Sequence, residues 1–400
     1  MSKLKAVKIT EDVYWVGAID WDIRDFHGYL TSRGTTYNAY LVMGEKITLV
    51  DCVKKEFKDV LISRISSLID PEKIDYIVSN HAEMDHSGCL PEMIKLCKPE
   101  KVFASKMGVK ALNEHFHIDL GLTEVKNGEV LNIGNMNLNF IETRMLHWPD
   151  SMVTYLAERK ILFSQDAFGM HLASNERFDN QLETGILEYE GAKYFANILL
   201  PYSMQVGKSI EGILALNLDI EIIAPDHGPV WTEKRDWIIN LYNKWAKQEP
   251  TKKLLVVYDT MWKSTEKMAR AISDGAVSNG VNCKVMPLTS VHRSDIATEI
   301  LTAGGLAVGS PTLNRNIYPT VIDALTYLKG LQPKNLVGGV FGSYGWSGEG
   351  DKQARAILED MKIELVDENV RCKYVPSHEV LSQCSDLGAK LAQRIKEICE

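Results

Sequence analysis

The 400-residue sequence contains no run of eighteen uncharged apolar residues, so it offers no candidate membrane-spanning helix. Its first residues, MSKLKAVKITEDVYWVGAIDW, lack the long apolar segment of a secretory signal and carry an acidic pair early. Basic excess is also missing. Forty-five Lys and Arg face 53 Asp and Glu, for a net charge of −8. No basic stretch interleaved with aromatics occurs, which argues against nucleic acid as a partner. Cysteine is sparse: Cys52, Cys89, Cys97, Cys283, Cys372, Cys384 and Cys399 are scattered, odd in number and form no C-x-x-C. That pattern excludes a disulfide framework and an iron–sulfur or zinc–thiolate site, and reads as reduced thiols in a cytoplasm. Internal repeats and low-complexity tracts are lacking too.

What is there is an ordinary globular composition, 45% hydrophobic and 24% charged, over a length that predicts two domains. The first half reads as short β-rich segments (VYWVGAI, TYNAYLVM, KITLVDC, KIDYIVSN, KVFAS, SMVTYLAE) punctuated by helical stretches such as EFKDVLISRISSLI and GCLPEMIKLC. Residues 233–247 have the three- and four-residue apolar spacing of a helix. KQEPTKK, broken by Pro250, reads as a linker. Beyond it, strands and helices alternate regularly, which predicts an open parallel sheet covered on both faces. The boundary is therefore set near residue 250, giving domains 1–250 and 251–400.

The densest chemistry is SNHAEMDHSG, residues 79–88, where His81, Glu83, Asp85 and His86 crowd together directly after an apolar strand. A loop over 81–86 is expected, because a helix would turn Glu83 away from His81 and Asp85. His147 in RMLHWPDSM, Asp166 in ILFSQDAFG and His227 in EIIAPDHGPV each end another buried-looking strand, an odd place for an unpaired polar group. Converging, these seven side chains suffice for two metal ions. His115 and His117 read as a solvated helix end, and His292 and His378 as surface.

A second group of motifs follows residue 250. YDTMWKSTEKMA supplies Thr260, Met261, Trp262, Lys263, Ser264 and Thr265 where a helix opens, a cradle for one terminal phosphate that is neither a Walker A loop nor G-x-G-x-x-G. GSPTLNRNIYP offers Pro311, Thr312, Leu313 and Asn314; FGSYGWSGEG offers Ser343, Tyr344, Gly345, Trp346, Ser347 and Gly348. Both follow strands at the edge where doubly wound sheets bind ligands, with glycines for close approach and aromatics to stack on a flat ring. Phosphate cradle plus aromatic shelf points to FMN.

HAEMDHSG resembles the H-x-H-x-D-H loop of the metallo-β-lactamase fold, with glutamate where zinc hydrolases carry histidine. That H-x-E-x-D-H variant, followed by His147, Asp166 and His227 in order, resembles the flavodiiron proteins, and the later segment is similar to short-chain flavodoxin. The resemblance spans essentially the whole chain. It implies an α/β protein: a metallo-β-lactamase-like αββα sandwich followed by a flavodoxin-like doubly wound parallel sheet. It implies one iron on His81, Glu83 and His147, the other on Asp85, His86 and His227, and Asp166 as bridge. An oxygen-rich donor set suits iron, and two ferrous ions against three carboxylates and a hydroxide leave a neutral core. His27 and Tyr194 are candidate catalytic groups in the pocket.

The implied activity is reduction of O2 to water, NO to N2O, or both, with electrons passing through FMN to two non-haem irons. With the chain stopping at Glu400, the donor is expected to be a separate small redox protein such as rubredoxin. A head-to-tail homodimer, open to pairing into a dimer of dimers, is expected to bring one copy's FMN to the other's irons. The rival readings are a zinc hydrolase with a flavodoxin-like regulatory domain and a non-catalytic electron carrier.

Overall fold

The computed structural model describes residues 4–400. The chain divides into two compact units: the first runs to Tyr194 and resumes over Met204–Asn243, the second takes Phe195–Ser203 and Lys244–Glu400. Within the second unit, Asn197 donates to Ser294 O at 3.2 Å and accepts from the Tyr327 hydroxyl at 2.7 Å.

In the first unit a seven-stranded sheet runs Val7–Lys8, Val13–Trp15, Tyr40–Met43, Ile47–Val50, Tyr76–Ser79, Lys101–Ser105, Leu122–Val125. Its first four strands pair antiparallel and the rest parallel. A five-stranded sheet runs Val130–Asn132, Asn137–Glu142, Met152–Leu156, Ile161–Gln165, Ile222–Pro225. Strand periodicity decides the layering. Tyr40, Val42, Val50, Val78 and Phe103 of the larger sheet share one core with Leu138, Phe140, Met152, Ile161 and Phe163 of the smaller. The alternate residues Leu41, Leu49, Ile77, Val102 and Ala104 face a second core with Leu61, Ile65, Leu90, Met93 and Leu112 of the covering helices. Val153, Tyr155 and Leu162 turn the smaller sheet's other face toward Ile213. Two apolar faces per strand demand two covers, and the result is an αββα sandwich.

The second unit holds a parallel sheet in the order Asn282–Pro287, Thr251–Tyr258, Ala303–Leu313, Val337–Tyr344, with Glu364–Leu365 and Val370–Lys373 both on the last strand. The order 2-1-3-4-5 is that of a flavodoxin-like doubly wound sheet. Helices Ser264–Ser278 and His378–Ile398 cross closely at Gly275 and Gly388, where an added Cβ would lie 2.0 Å from Ser385 O and Ile272 O respectively. Among the described residues no helix is long and apolar enough to cross a membrane.

Candidate metal centre and cofactor cavity

The loop after strand Tyr76–Ser79 is not irregular throughout. It runs as irregular backbone, bending at Asn80, to Glu83 and then makes one helical turn, Met84–Ser87. The expectation of a loop over 81–86 is therefore corrected at its second half. Glu83 escapes the helical phase because it precedes the turn, accepting from His86 N and Ser87 N on its carbonyl at 3.0 and 2.9 Å. Gly88 closes the turn against backbone: a Cβ there would meet Met84 O at 2.3 Å. Asn80 anchors the entry, donating from N and Nδ2 to the two oxygens of Asp51 at 2.7 Å each and accepting from Thr154 of the second sheet at 2.6 Å.

All seven residues read as ligands converge. His81, Glu83, His147 and Asp166 form one group, and Asp85, His86 and His227 another, the donor atoms within each lying inside 4.8 Å of one another. Every one is buried. Asp166 lies between the groups. Its Oδ2 is 3.3 Å from His81 Nε2 and 3.1 Å from His147 Nε2; its Oδ1 is 3.2 Å from His86 Nε2 and 3.5 Å from His227 Nε2. Glu83 Oε2 completes the first set, 3.3 Å from His81 and 3.1 Å from His147, and Asp85 the second, 3.4 Å from His86 and 3.2 Å from His227.

These short approaches are not a satisfied hydrogen-bond network. Both oxygens of Asp85, both of Asp166 and both nitrogens of His86 are buried without a hydrogen-bond partner among the described residues. Buried polar atoms are rarely left so, and a cluster of them with facing lone pairs is what a cation binds. The electrostatics agree. Burial pushes the His81 and His86 pKa values down, yet the carboxylates around them, Asp150 foremost for His81 and Asp85 for His86, raise both well above the ordinary range. The site is built to hold positive charge.

Outer groups aim the ligands. His81 Nδ1 donates to Asp150 Oδ2 at 2.9 Å, and the same oxygen accepts from Ala82 N at 2.6 Å, so His81 Nε2 is the nitrogen that faces the cluster and would turn to a bound cation. His227 Nδ1 donates to Thr36 O at 2.6 Å, with the same consequence. Asp226 Oδ2 lies 3.4 Å from His86 Nδ1. Behind it, burial and then the nearby Asp51 carboxylate push the Asp226 pKa well up, while burial raises Asp51 to about 6 against the Asn80 hydrogen bonds. Replacing Asp150 by Asn is expected to weaken metal binding by about 10–100-fold, read by competition with a chromophoric chelator. Unchanged affinity would show that the contact does not orient His81.

His27 and Tyr194 both reach this neighbourhood. His27 Nε2 is 3.1 Å from Glu83 Oε1, its side chain is 75% exposed, and its backbone is left-handed at φ 53°. Tyr194 is buried, its ring 6.0 Å from that of His227. Burial, then Asp166, push its hydroxyl pKa well up. His115 is exposed, and its ring stacks on Trp148 at 6.2 Å; Trp148 in turn stands edge-on to His81 at 5.1 Å. His292 is half-buried and caps the helix Arg293–Ile300, and His378 is exposed. The sequence reading passed over His171 in FGMHLAS altogether, along with Asp150, Asp226 and Thr35. His171 is buried and 2.8 Å from Thr35 Oγ1. Lying outside any ligand spacing, it left no signal beyond being a histidine five residues past Asp166.

In the second unit a cavity of about 630 Å³ opens at the carboxyl ends of the strands. Met261, Trp262, Ser264, Pro311, Thr312, Leu313, Asn314, Ser343, Tyr344, Gly345, Trp346 and Ser347 line it, joined by Arg315 and Tyr374, which sequence reasoning did not select. Thr260, Lys263, Thr265 and Gly348 stand outside this lining. Thr265 Oγ1 is 2.9 Å from Ser343 Oγ, and Gly348 O accepts from Arg371 at 2.6 Å. Helix Ser264–Ser278 starts without a side-chain cap, after Lys263 in the left-handed region. Thr260 Oγ1 is buried without a hydrogen-bond partner among the described residues. Uncapped N–H groups and an orphaned hydroxyl fit an anionic phosphate. Trp262 and Trp346, 90% and 87% exposed, stand at the rim as flat apolar surfaces.

The ODP family beta lactamase profile matches residues 35–228, and the flavodoxin profile residues 256–388. The chain is 46% identical to a nitric oxide reductase of Moorella thermoacetica, covering 98% of this chain and 99% of that one. Among solved structures, the rubredoxin oxygen:oxidoreductase of Desulfovibrio gigas superposes with a TM-score of 0.97 at 45% identity, covering 98% and 99% of the two chains. A flavodiiron protein from Giardia intestinalis superposes at 0.96 with 34% identity, covering 100% and 98%. Such similarity over both units at once settles membership: the chain belongs to the flavodiiron protein family.

Proposed function

We propose that the chain is an oxidoreductase that reduces O2, NO or both at a diiron centre fed by FMN. The observation that carries this reading is Asp166, whose two carboxylate oxygens face separate sets of histidine nitrogens and accept no hydrogen bond. His81, Glu83 and His147 would hold one iron, Asp85, His86 and His227 the other, and Asp166 both. Three carboxylates in the donor set favour iron over the nitrogen-rich arrangement of zinc hydrolases, and the relatives' names speak against the hydrolase reading. The second unit's cavity would hold FMN, its phosphate at Thr260–Thr265 and its ring against the 343–348 loop.

Bound there, two irons supply Lewis acidity and electron pairs to a small diatomic ligand, while FMN exchanges electrons singly or in pairs. The chain's own residues do the rest. Asp150 and Thr36 O engage the Nδ1 atoms of His81 and His227, so the Nε2 atoms are the ones turned toward a bound cation. His27, solvent-facing and bonded to Glu83, is placed to carry protons to a reaction that consumes them. Tyr194, with its pKa pushed up, keeps its proton and presents a neutral donor. A separate small redox protein of the rubredoxin type is the proposed donor. A head-to-tail homodimer, able to pair further into a dimer of dimers, is the proposed assembly, and the cytoplasm its location. The proposed domains are 1–250 for the metals and 251–400 for the flavin.

The test is anaerobic reduction of the iron-loaded, flavin-loaded protein followed by stopped-flow mixing with each gas in turn. Reoxidation of the flavin coupled to gas consumption is expected. Flavin reduction with neither gas consumed would leave an electron carrier; stoichiometric zinc with hydrolytic activity would leave a hydrolase. Trp346→Ala is expected to weaken FMN binding by about 2- to 12-fold, the worth of one aromatic contact. Fluorescence titration of the flavin-free protein measures it, and an unchanged Kd would remove the ring from the 343–348 loop.

A further inference from the structure

We propose that Arg371 is a positioning residue that holds the 345–348 wall of the second unit's cavity in shape for flavin, an assignment that rests on the FMN reading. The wall itself supplies the need. Gly345, Trp346 and Ser347 line the cavity in the segment between strand Val337–Tyr344 and helix Gly350–Asp360. Among the described residues, the four from Gly345 to Gly348 make a single hydrogen bond: Gly348 O accepts from Arg371 Nη2 at 2.6 Å. Trp346 stands 87% exposed, so burial does not fix the segment either. The wall hangs on one guanidinium.

Strand register puts Arg371 in place. Val370–Lys373 lies parallel to Val337–Tyr344, with Arg371 opposite Gly342 and Cys372 opposite Ser343. Cys372 turns into the core shared with Met268 and Cys384, so Arg371 takes the other face. There Gly342 leaves room, since a Cβ on it would lie 3.1 Å from Asp351 Cβ. Arg371 Nε meets Asp351 at 3.2 Å from Oδ1 and 3.0 Å from Oδ2. Asp351 is 2% exposed and also accepts from Asn369 Nδ2 at 2.8 Å, so the arm that reaches the wall is itself anchored. The guanidinium carbon lies 5.0 Å from the ring centroid of Tyr344, which also lines the cavity. One planar fork thus joins a buried carboxylate, an aromatic ring and the wall's carbonyl. An ammonium, a point charge, cannot reproduce that span. A wall shaped before FMN arrives spares the cost of ordering it at binding.

The experiment titrates FMN into the flavin-free full chain and compares the parent with Arg371→Met, Arg371→Lys, Gly348→Ala and the double variant R371M/G348A. R371M is expected to raise the FMN Kd about 10-fold or more, the worth of a hydrogen bond from a charged group. R371K should recover only part of that loss. Because R371M also strips a buried carboxylate of its partner, G348A attacks the same contact from the other side. Gly348 lies outside the left-handed region, and a Cβ there would meet Arg371 Nη2 at 2.2 Å, pushing the guanidinium off the carbonyl. G348A is expected to weaken FMN binding while keeping the parent's thermal midpoint, and the double variant to bind no worse than R371M. At saturating FMN, the visible circular dichroism of the flavin should change alike in R371M and G348A. Parent-like Kd values in both single variants overturn the assignment alone, as do losses that multiply in the double variant. A loss in R371M with G348A like the parent also overturns it, leaving Arg371 to the folding of the unit. A parent that binds no FMN takes down the flavin reading and this assignment together.

Discussion

Asp166→Asn is expected to abolish gas reduction and iron retention while the protein stays yellow. The reason is positional. Oδ1 approaches His86 and His227, Oδ2 approaches His81 and His147, and among the described residues no other carboxylate pairs with histidines of both sets. Asparagine keeps the volume but removes the charge and turns one oxygen into an N–H₂ donor pointed at two histidine nitrogens and a cation. One set of donors thus loses a ligand and gains a repulsive contact, and both lose half a shared charge. Outer groups that merely orient a ligand cost about 10–100-fold when removed. A ligand shared by two ions should exceed the top of that range, so activity is expected to fall by more than about 10²-fold. Iron analysis, flavin absorbance and a gas electrode on one preparation decide it. A D166N protein with two irons and parent-like turnover would show that Asp166 is not a ligand. Glu83→His is the companion test: it converts the loop toward the hydrolase pattern and should also depress iron retention without bleaching the flavin.

How much of this was readable in advance depends on whether a residue's role is local. His81, Glu83, Asp85 and His86 announce themselves because four metal-binding side chains share one turn. Asp166 and His227 are legible because each follows a strand, Ile161–Gln165 and Ile222–Pro225, that burial patterning already marks, whereas His147, expected at a strand end, lies five residues past Asn137–Glu142 in the turn before Met152–Leu156. The segment pattern gave only sheets covered by helices; the αββα layering came from the family resemblance, and the alternation of Leu41 and Val42 between two cores explains it once the strands are in place. The helical turn Met84–Ser87 was hidden, because four residues carry no periodicity to detect. Asp150 finds His81 across 69 residues and Thr35 finds His171 across 136, contacts set by the sandwich and by nothing near them in sequence. The same holds for Tyr374, which joins the second unit's cavity only because strand Val370–Lys373 pairs beside Val337–Tyr344.

Removing the metal is expected to lower the thermal midpoint by roughly 10 °C or more, a loss reversed by adding ferrous ion back under anaerobic conditions. Seven ionisable side chains, four imidazoles and three carboxylates, are buried within two small clusters. Folding carries them out of water whether or not a cation is present, and Asp85, Asp166 and His86 then find no hydrogen-bond partner among the described residues. Bound cations repay that desolvation only in the folded chain, so binding free energy becomes folding free energy. One site filled at a thousand times its Kd adds about 4 kcal/mol, and two sites add more. For a unit of this size each kcal/mol moves the midpoint by about 2–4 °C, which sets the expected shift. The apo chain should still fold, because the carboxylates draw protons onto His81 and His86 and the cluster retains some internal compensation. Scanning calorimetry with and without a chelator measures the shift, and D166N supplies the control. If the cluster is the origin, the variant should already sit near the apo midpoint and respond little to chelation. An equal chelator response in the parent and D166N would place the stabilising metal somewhere other than among these seven residues.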